Sequence, residues 1–445
     1  YTLAISASDA AGALDPLGYS IDWGDGTSVQ TLTAAQLAAL GGNVTHVFAD
    51  DADGPSNSTA RTISVTANDG EGGATTRTQT VNVNNVAPVA VVGGAAAVNE
   101  GASYALTVSA ITEPGADTRT GYSIDWGDGT VQNLTPAQWA AAAGSFNHVY
   151  ADGGNGGTAR SITVSATDED GTFVLGTRAL TVNNVAPLLA VSSPGTTNEG
   201  ATYTLTISAS DAATTNDPLG YSIDWGDGSA LQTLTAAQLA ALGGNVTHVF
   251  ADDQDDPVNS TARTISVTAN DGDGGLTTRT QVVTVNNVAP VATVGGAASV
   301  NEGASYTLTV GAITEPGVDA RTGYSIDWGD GVVQAFTPAQ WAAAAGSFNH
   351  VYADGGNGGT SRSITVSATD EDGTFVLGSR TVTVNNLAPN LAISGAGATN
   401  EGATYTLAIT ASDAATTNDP LSYSIDWGDG TALQTLTAAQ LAALG

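Results

Sequence analysis

The chain has 445 residues, with 43 acidic side chains against ten arginines and no lysine, for a formal charge of −33. That balance excludes nucleic-acid binding, which needs clustered basic residues to neutralise phosphate, and it disfavours docking on an anionic membrane surface. With no cysteine there is no disulfide or thiolate–metal chemistry, and no long apolar run marks a membrane span.

The first predicted element is a strand, Tyr1-Thr-Leu-Ala-Ile-Ser-Ala, which alternates apolar and polar residues with period two. Asp9 opens the loop after it. A second strand runs into Asp22-Trp23-Gly24-Asp25-Gly26, whose Asp and Gly residues favour a tight turn. The segment Thr33-Ala-Ala-Gln36-Leu37-Ala-Ala-Leu40 then breaks the pattern. Thr followed three positions later by Gln is a capping box, so a short helix is predicted, stopped by Gly41-Gly42. A strand bearing His46 follows, then Arg61-Thr-Ile-Ser-Val-Thr-Ala and Thr78-Gln-Thr-Val-Asn-Val-Asn84. Asn84-Asn85-Val-Ala-Pro closes the unit, and Asn99-Glu100-Gly101 marks the first turn of the next.

The turn Asp-Trp-Gly-Asp-Gly recurs around Trp23, Trp126, Trp225, Trp328 and Trp427, at intervals of 103, 99, 103 and 99 residues. A fixed period of this size means an array of small domains, and the alternation makes the true repeat a 202-residue pair. The boundaries expected are 1–86 (lacking its first strand), 87–185, 186–288, 289–387 and 388–445 (lacking its C-terminal half), as in a window on a longer array. About seven short strands per unit predict an all-β immunoglobulin-like sandwich with one inserted helix. Strands of 8–10 residues make each unit roughly 40 Å long, so head-to-tail stacking gives a rod that advances roughly 80 Å per pair.

Even-numbered units differ from odd ones. Their helix starts Thr135-Pro136-Ala-Gln138-Trp139, they carry a Gly-rich loop from Asp152 to Gly157, and a hairpin contains Phe173-Val174-Leu175. Trp139 and Trp341 are expected either to pin the helix to its own sandwich or to face a lateral partner. Apolar residues in a turn mark contact sites when exposed, so self-association every second unit is one expectation. Simple duplication of an ancestral pair is the other.

Tyr-Ser-Ile-Asp-Trp-Gly-Asp-Gly, then His-Val-Phe or His-Val-Tyr, then Ile-Ser-Val-Thr-Ala-Asn-Asp-Gly-Glu-Gly-Gly together resemble the polycystic-kidney-disease (PKD) domain family. The resemblance covers essentially the whole chain. It implies an immunoglobulin-like fold used as a spacer or adhesion module of extracellular and cell-surface proteins, some bacterial members binding calcium. The Asn-Asn-Val-Ala-Pro linker and the Asn-Glu-Gly turn also look like the calcium-binding junctions of cadherin-type repeats, although asparagine here replaces most of the acidic linker residues.

Immunoglobulin topology places the acidic residues. The Asn-Glu-Gly turn (A–B loop), the E–F loop Ala251-Asp-Asp-Gln-Asp-Asp256 and the outgoing Asn286-Asn287 lie at the C-terminal end of a unit. The B–C and F–G loops of the next unit face them. Metal-ligand candidates are therefore Asp9, Glu100, Glu199, Asp211, Asp217, Asp271, Asp273, Asn286, Asn287, Glu302, Glu401 and Asp413, and calcium, which takes six to eight oxygens, is the expected cofactor. In even units the B–C loop reads Ile-Thr-Glu-Pro-Gly, with Glu113 and Glu315, so a different metal site or none is expected there. Asp and Asn in such loops also stabilise turns through their own backbone. That is the expectation for the second Asp of each Trp-Gly-Asp-Gly turn, and the recurring histidines are expected to be structural.

No catalytic motif, reactive thiol or phosphate loop is present, so no enzymatic role is expected. The leading expectation is a stalk, fibre or adhesin shaft outside the cell, with cell-surface or matrix partners. The alternatives are a carbohydrate- or protein-binding array that uses the Trp-bearing helix, and the spacer of a large secreted hydrolase.

Overall fold

A computed structural model of the protein describes residues 1–51, 57–253 and 259–445. The chain is all-β, with short helices between antiparallel sheets that repeat along it. The second unit is described throughout and shows the pattern. Its strands are β1 (Val92–Gly94), β2 (Ala97–Asn99), β3 (Ser103–Val108), β4 (Gly121–Asp125), β5 (Val131–Leu134), β6 (Ser145–Val149), β7 (Thr158–Thr167) and β8 (Thr172–Asn183), with α1 (Pro136–Ala142) after β5.

One sheet has the order β1-β3-β6 and the other β5-β4-β7-β8-β2. All pairings are antiparallel except β2 with β8. The entering chain thus crosses from one sheet to the other between Gly94 and Ala97. Tyr104 fixes that crossing, since its hydroxyl donates to the Ala95 carbonyl at 3.1 Å. Period-two patterning decides which side chains face inward: Tyr104, Leu106 and Val108 on β3 meet Ile162, Val164 and Ala166 on β7. Each of the first four units has such a cluster, with its tryptophan buried in it.

The Trp-Gly-Asp-Gly turn is a double Asx turn. Asp125 Oδ1 accepts from Gly127 N at 2.9 Å, and Asp128 Oδ1 accepts from Thr130 N at 2.9 Å. The other Asp128 oxygen lies 2.6 Å from His148 Nε2. His148 in turn lies flat on Trp126, with ring centroids 4.7 Å apart. The same stack forms at Trp23, Trp225 and Trp328. Burial opposes ionisation of Asp25, but hydrogen bonds from Thr27 and His46 outweigh it and hold the carboxyl at about 2. These histidines and aspartates therefore assemble the core, as the sequence led one to expect. The Phe/Tyr alternation has a counterpart here: in even units Tyr150 and Tyr352 donate to the carbonyls of Trp126 and Trp328.

The capping box forms in every unit, with Thr135 Oγ1 accepting from Gln138 N and Gln138 Oε1 accepting from Thr135 N. Trp139 stacks on Tyr122 of its own unit at 4.3 Å and packs on Phe146 at 4.8 Å. Leu175 is buried in the same core, and its carbonyl accepts from Ala90 N. The lateral-contact expectation for these residues gives way to intramolecular packing, although Val174 remains exposed.

The units do not collapse on one another. The chain exposes 23,679 Å², whereas one compact 44.1 kDa globule would expose about 15,500 Å² and five separate units of equal mass about 24,000 Å². Among the described residues, the hydrogen bonds between consecutive units lie at their facing ends. Among the described residues no helix is long and apolar enough to cross a membrane.

Candidate metal centres at the unit junctions

The second and third junctions are each assembled from five segments: the Asn-Glu-Gly turn, the loop after the histidine strand, the closing Asn-Asn, and two loops of the following unit. The glutamate is the staple. Glu100 is buried after β2, its Oε2 accepting from Gly153 N at 2.6 Å and its Oε1 from Val185 N at 2.7 Å. Glu302 repeats this arrangement with Gly355 and Leu387, and Glu199 accepts from Val288 N at 2.7 Å. The staple ties the histidine-strand loop and the outgoing linker to one point. A carboxylate oxygen has two lone pairs, so one N–H each leaves it able to bind a cation as well.

The second Asn of the linker reaches across. Asn184 Nδ2 donates to Asp271 Oδ2 at 3.0 Å and to the Asp273 carbonyl at 3.3 Å, while Asn287 Nδ2 donates to Asp372 Oδ2 at 3.1 Å. Backbone contact accompanies it, with Ala116 N donating to Ala49 O and Val318 N to Ala251 O. Glycine permits the approach: a Cβ on Gly200, which sits at φ +67°, would lie 2.3 Å from the Pro316 carbonyl of the next unit.

Carboxylates converge in the space enclosed. Between units two and three, Glu100, Asp211 and Asp217 bring ligand oxygens within 4.8 Å of one another, as do Asp152, Asp217 and Asp273. Between units one and two the groups are Asp50, Asp51 and Asp117, and Glu113, Asp117 and Asp168. Between units three and four Glu199, Asp252 and Asp253 form one such group. Several of these residues are almost fully enclosed, Asp217 and Glu199 at 1 % exposure and Asp253 at 0 %.

Many of the enclosed oxygens have no hydrogen-bond partner. Among them are Asp211 Oδ2, Asp217 Oδ2 and Asn184 Oδ1 at one junction, and both oxygens of Asp253 and Asp319 at the next. Burial, followed by the charges of Asp152, Glu100, Asp273 and Asp211, pushes Asp217 up to about 7. Burial and the charges of Glu199 and Glu315 push Asp319 up to about 8. A buried polar atom without a partner costs about 1–3 kcal/mol, more if charged. Hard oxygen ligands in crowded, enclosed sets suit an oxygen-seeking divalent cation.

The expected ligands fall into three groups. Glu100, Asp211, Asp217, Asp271 and Asp273 come together at the second junction, and Glu199 with Asn287 at the third. At the fourth, Glu302 is buried and Asp413 caps its own turn at Ala415, with Asp419 raised by burial and by Asp354, Glu302 and Asp413. Asn286 stands apart, pairing with Asn198 on the surface, Asp9 accepts from Ala11 N, and Glu401 is exposed. Asp255 and Asp256 of the acidic loop lie outside the described residues.

Sequence reasoning placed Asp253 at the junction within the E–F loop without naming it a ligand, and it missed Asp152, Asp117, Asp319, Asp168, Asp170, Asp370 and Asp372. The Ile-Thr-Glu-Pro-Gly loop carries an ion pair that, among the described residues, the odd units lack. Glu113 and Glu315 sit in it, ion-paired to Arg119 and Arg321, and the aspartates four residues after them enter the cluster.

The class defined by this fold is a tandem all-β repeat protein with acidic, end-on junctions. No family model matches the chain. A 149-residue stretch is 35 % identical to chitinase A of Pseudoalteromonas piscicida, covering 33 % of this chain and 16 % of that protein. The chain thus spans about a sixth of the length of this curated relative. Among solved structures it is similar to a tetra-tandem repeat in the extending region of a large adhesion protein, at 16 % identity and TM-score 0.35, over 83 % of this chain and 91 % of that one. A dimeric latent PorU from Porphyromonas gingivalis is similar at 12 % identity and TM-score 0.16, over 66 % of this chain and 32 % of that one.

Proposed function

We propose that the chain is part of an extracellular shaft built of PKD-type immunoglobulin-like units, with calcium ions at the junctions setting its stiffness. The observation that carries this reading is the convergence of enclosed, unpartnered carboxylate oxygens from two consecutive units. Without a cation the enclosed carboxylates repel one another and weaken the contact between the units. A divalent cation replaces that repulsion with shared ligation, so it couples two units that otherwise touch through few bonds. The same mechanics serve a spacer inside a larger secreted enzyme, a reading favoured by the stretch shared with a chitinase. A carbohydrate-binding array has less support, because Trp23, Trp126, Trp225 and Trp328 are core residues and Trp139 is stacked within its own unit.

Thermal unfolding tests the metal. A ligand that binds the folded form alone at 100 times its Kd contributes about 2.7 kcal/mol, and a small domain gains about 4–8 °C per kcal/mol. Millimolar calcium at matched ionic strength is therefore expected to raise Tm by roughly 10 °C or more, reversibly with chelator. An equal rise with sodium chloride alone would assign the effect to charge screening, and no rise would remove the metal from the account.

A further inference from the structure

We infer that each junction holds two cations, not one, bridged by a single aspartate of the B–C loop: Asp217 at the second junction and Asp117 at the first. This rests on the metal reading above and adds its stoichiometry and shared ligand. The oxygen groups overlap through one residue. Asp217 belongs to the set with Glu100 and Asp211 and also to the set with Asp152 and Asp273. Asp117 belongs to the set with Asp50 and Asp51 and also to the set with Glu113 and Asp168.

The loops that deliver these two aspartates have different sequences, Asp211-Ala-Ala-Thr-Thr-Asn-Asp217 in one and Glu113-Pro-Gly-Ala-Asp117 in the other. Both nevertheless place one carboxylate between the preceding unit and the ligands of their own unit. Asp217 is enclosed to 1 % exposure, and its Oδ2 has no hydrogen-bond partner. A carboxylate has two oxygens and so can serve one ion with each.

The supply of ligands requires the same number. At the third junction nine enclosed oxygens are without partners: Glu199 Oε2, Asn287 Oδ1, Glu315 Oε1, Asp370 Oδ2, Asp372 Oδ1 and both oxygens of Asp253 and Asp319. A calcium ion takes six to eight oxygens, several of them from water or backbone carbonyls. One ion would leave part of this set buried and uncompensated. Two ions about 4 Å apart, the spacing at which two metals share ligands, satisfy it. Asp319 is the counterpart of Asp117 one 202-residue repeat later, and both of its oxygens are unpartnered, so the bridging role is assigned to it by that correspondence.

The test counts ions on the full chain by native mass spectrometry and equilibrium dialysis with calcium. Asp217→Asn is nearly isosteric and removes charge from a crowded site, so it is expected to fold; the circular dichroism spectrum checks this. It is expected to lose two calcium ions relative to the parent. Asp273→Asn, which touches only one of the two sets, is expected to lose one. Loss of one ion or none with Asp217→Asn, while the parent binds calcium, overturns the bridged pair and leaves the junction metal standing. If Asp217→Asn fails to fold, Asp273→Asn decides: loss of two ions or none contradicts the paired arrangement. A parent that binds no calcium overturns both readings together.

Discussion

Gly226→Ala is expected to destabilise the third unit by about 3 kcal/mol or more and to lower its melting temperature by roughly 15 °C. Gly226 follows the buried Trp225 at φ +75°, and a Cβ there would lie 2.4 Å from the Thr264 carbonyl on the neighbouring strand. That carbonyl is backbone within a paired strand, so it cannot swing away as a flexible side chain would. The left-handed conformation itself costs about 1–2 kcal/mol with a Cβ, and overpacking adds about 1–3. Gly228, two residues on, isolates the first term. It sits at φ +79°, and a Cβ added there would meet nothing within 4 Å, so Gly228→Ala is expected to cost only about 1 kcal/mol. Chemical denaturation of the two variants checks the difference. Equal losses would mean that the close approach to Thr264 does not matter.

Glu100→Ala is expected to cost about 3 kcal/mol and to loosen the second junction even with calcium present. The substitution removes two short hydrogen bonds from a buried carboxylate, to Gly153 N and Val185 N. Bonds to charged groups contribute about 1.5–3 kcal/mol each, less whatever repulsion among the acidic neighbours is relieved. The linker then loses its tie to the loop that carries Asp152, and calcium affinity at that junction falls with the geometry. Glu401→Ala is the internal comparison, since Glu401 is exposed and its loss should change stability by less than about 0.5 kcal/mol. Hydrogen exchange at Gly153 and Val185 reads the effect directly. Unchanged protection at both amides would show that the glutamate is not the staple.

Much of this architecture is readable from residue order because it rests on local chemistry. Period-two alternation placed Tyr104, Leu106 and Ile162 inward, and the Thr-x-x-Gln box set each helix start. The recurring Trp-Gly-Asp-Gly turn gave the period. The junctions were legible in outline through immunoglobulin topology, which brought Glu100, Asp211 and Asp217 to one end. Their full ligand sets were not. Asp117 and Asp319 lie in loops spaced differently from the one carrying Asp217, and only the folded loop shows that all three reach the same place. Asp152 follows the histidine strand in a Gly-rich loop, whose sequence does not match the acidic E–F loop that carries Asp253 at the equivalent place. Of the two readings open for Trp139 the intramolecular one holds: its helix leans back onto Tyr122 and Phe146 of the same unit.

The central claim is that cations at the junctions convert a string of separate units into a stiff shaft. Small-angle X-ray scattering of the full chain, with calcium and then with excess chelator, tests it most directly. At roughly 40 Å per unit, the account predicts a rod with a maximum dimension of about 170 Å in calcium. It also predicts a shorter, broader distance distribution once the metal is removed and the junctions act as hinges. An identical scattering profile in both conditions, or a compact particle in calcium, would contradict it.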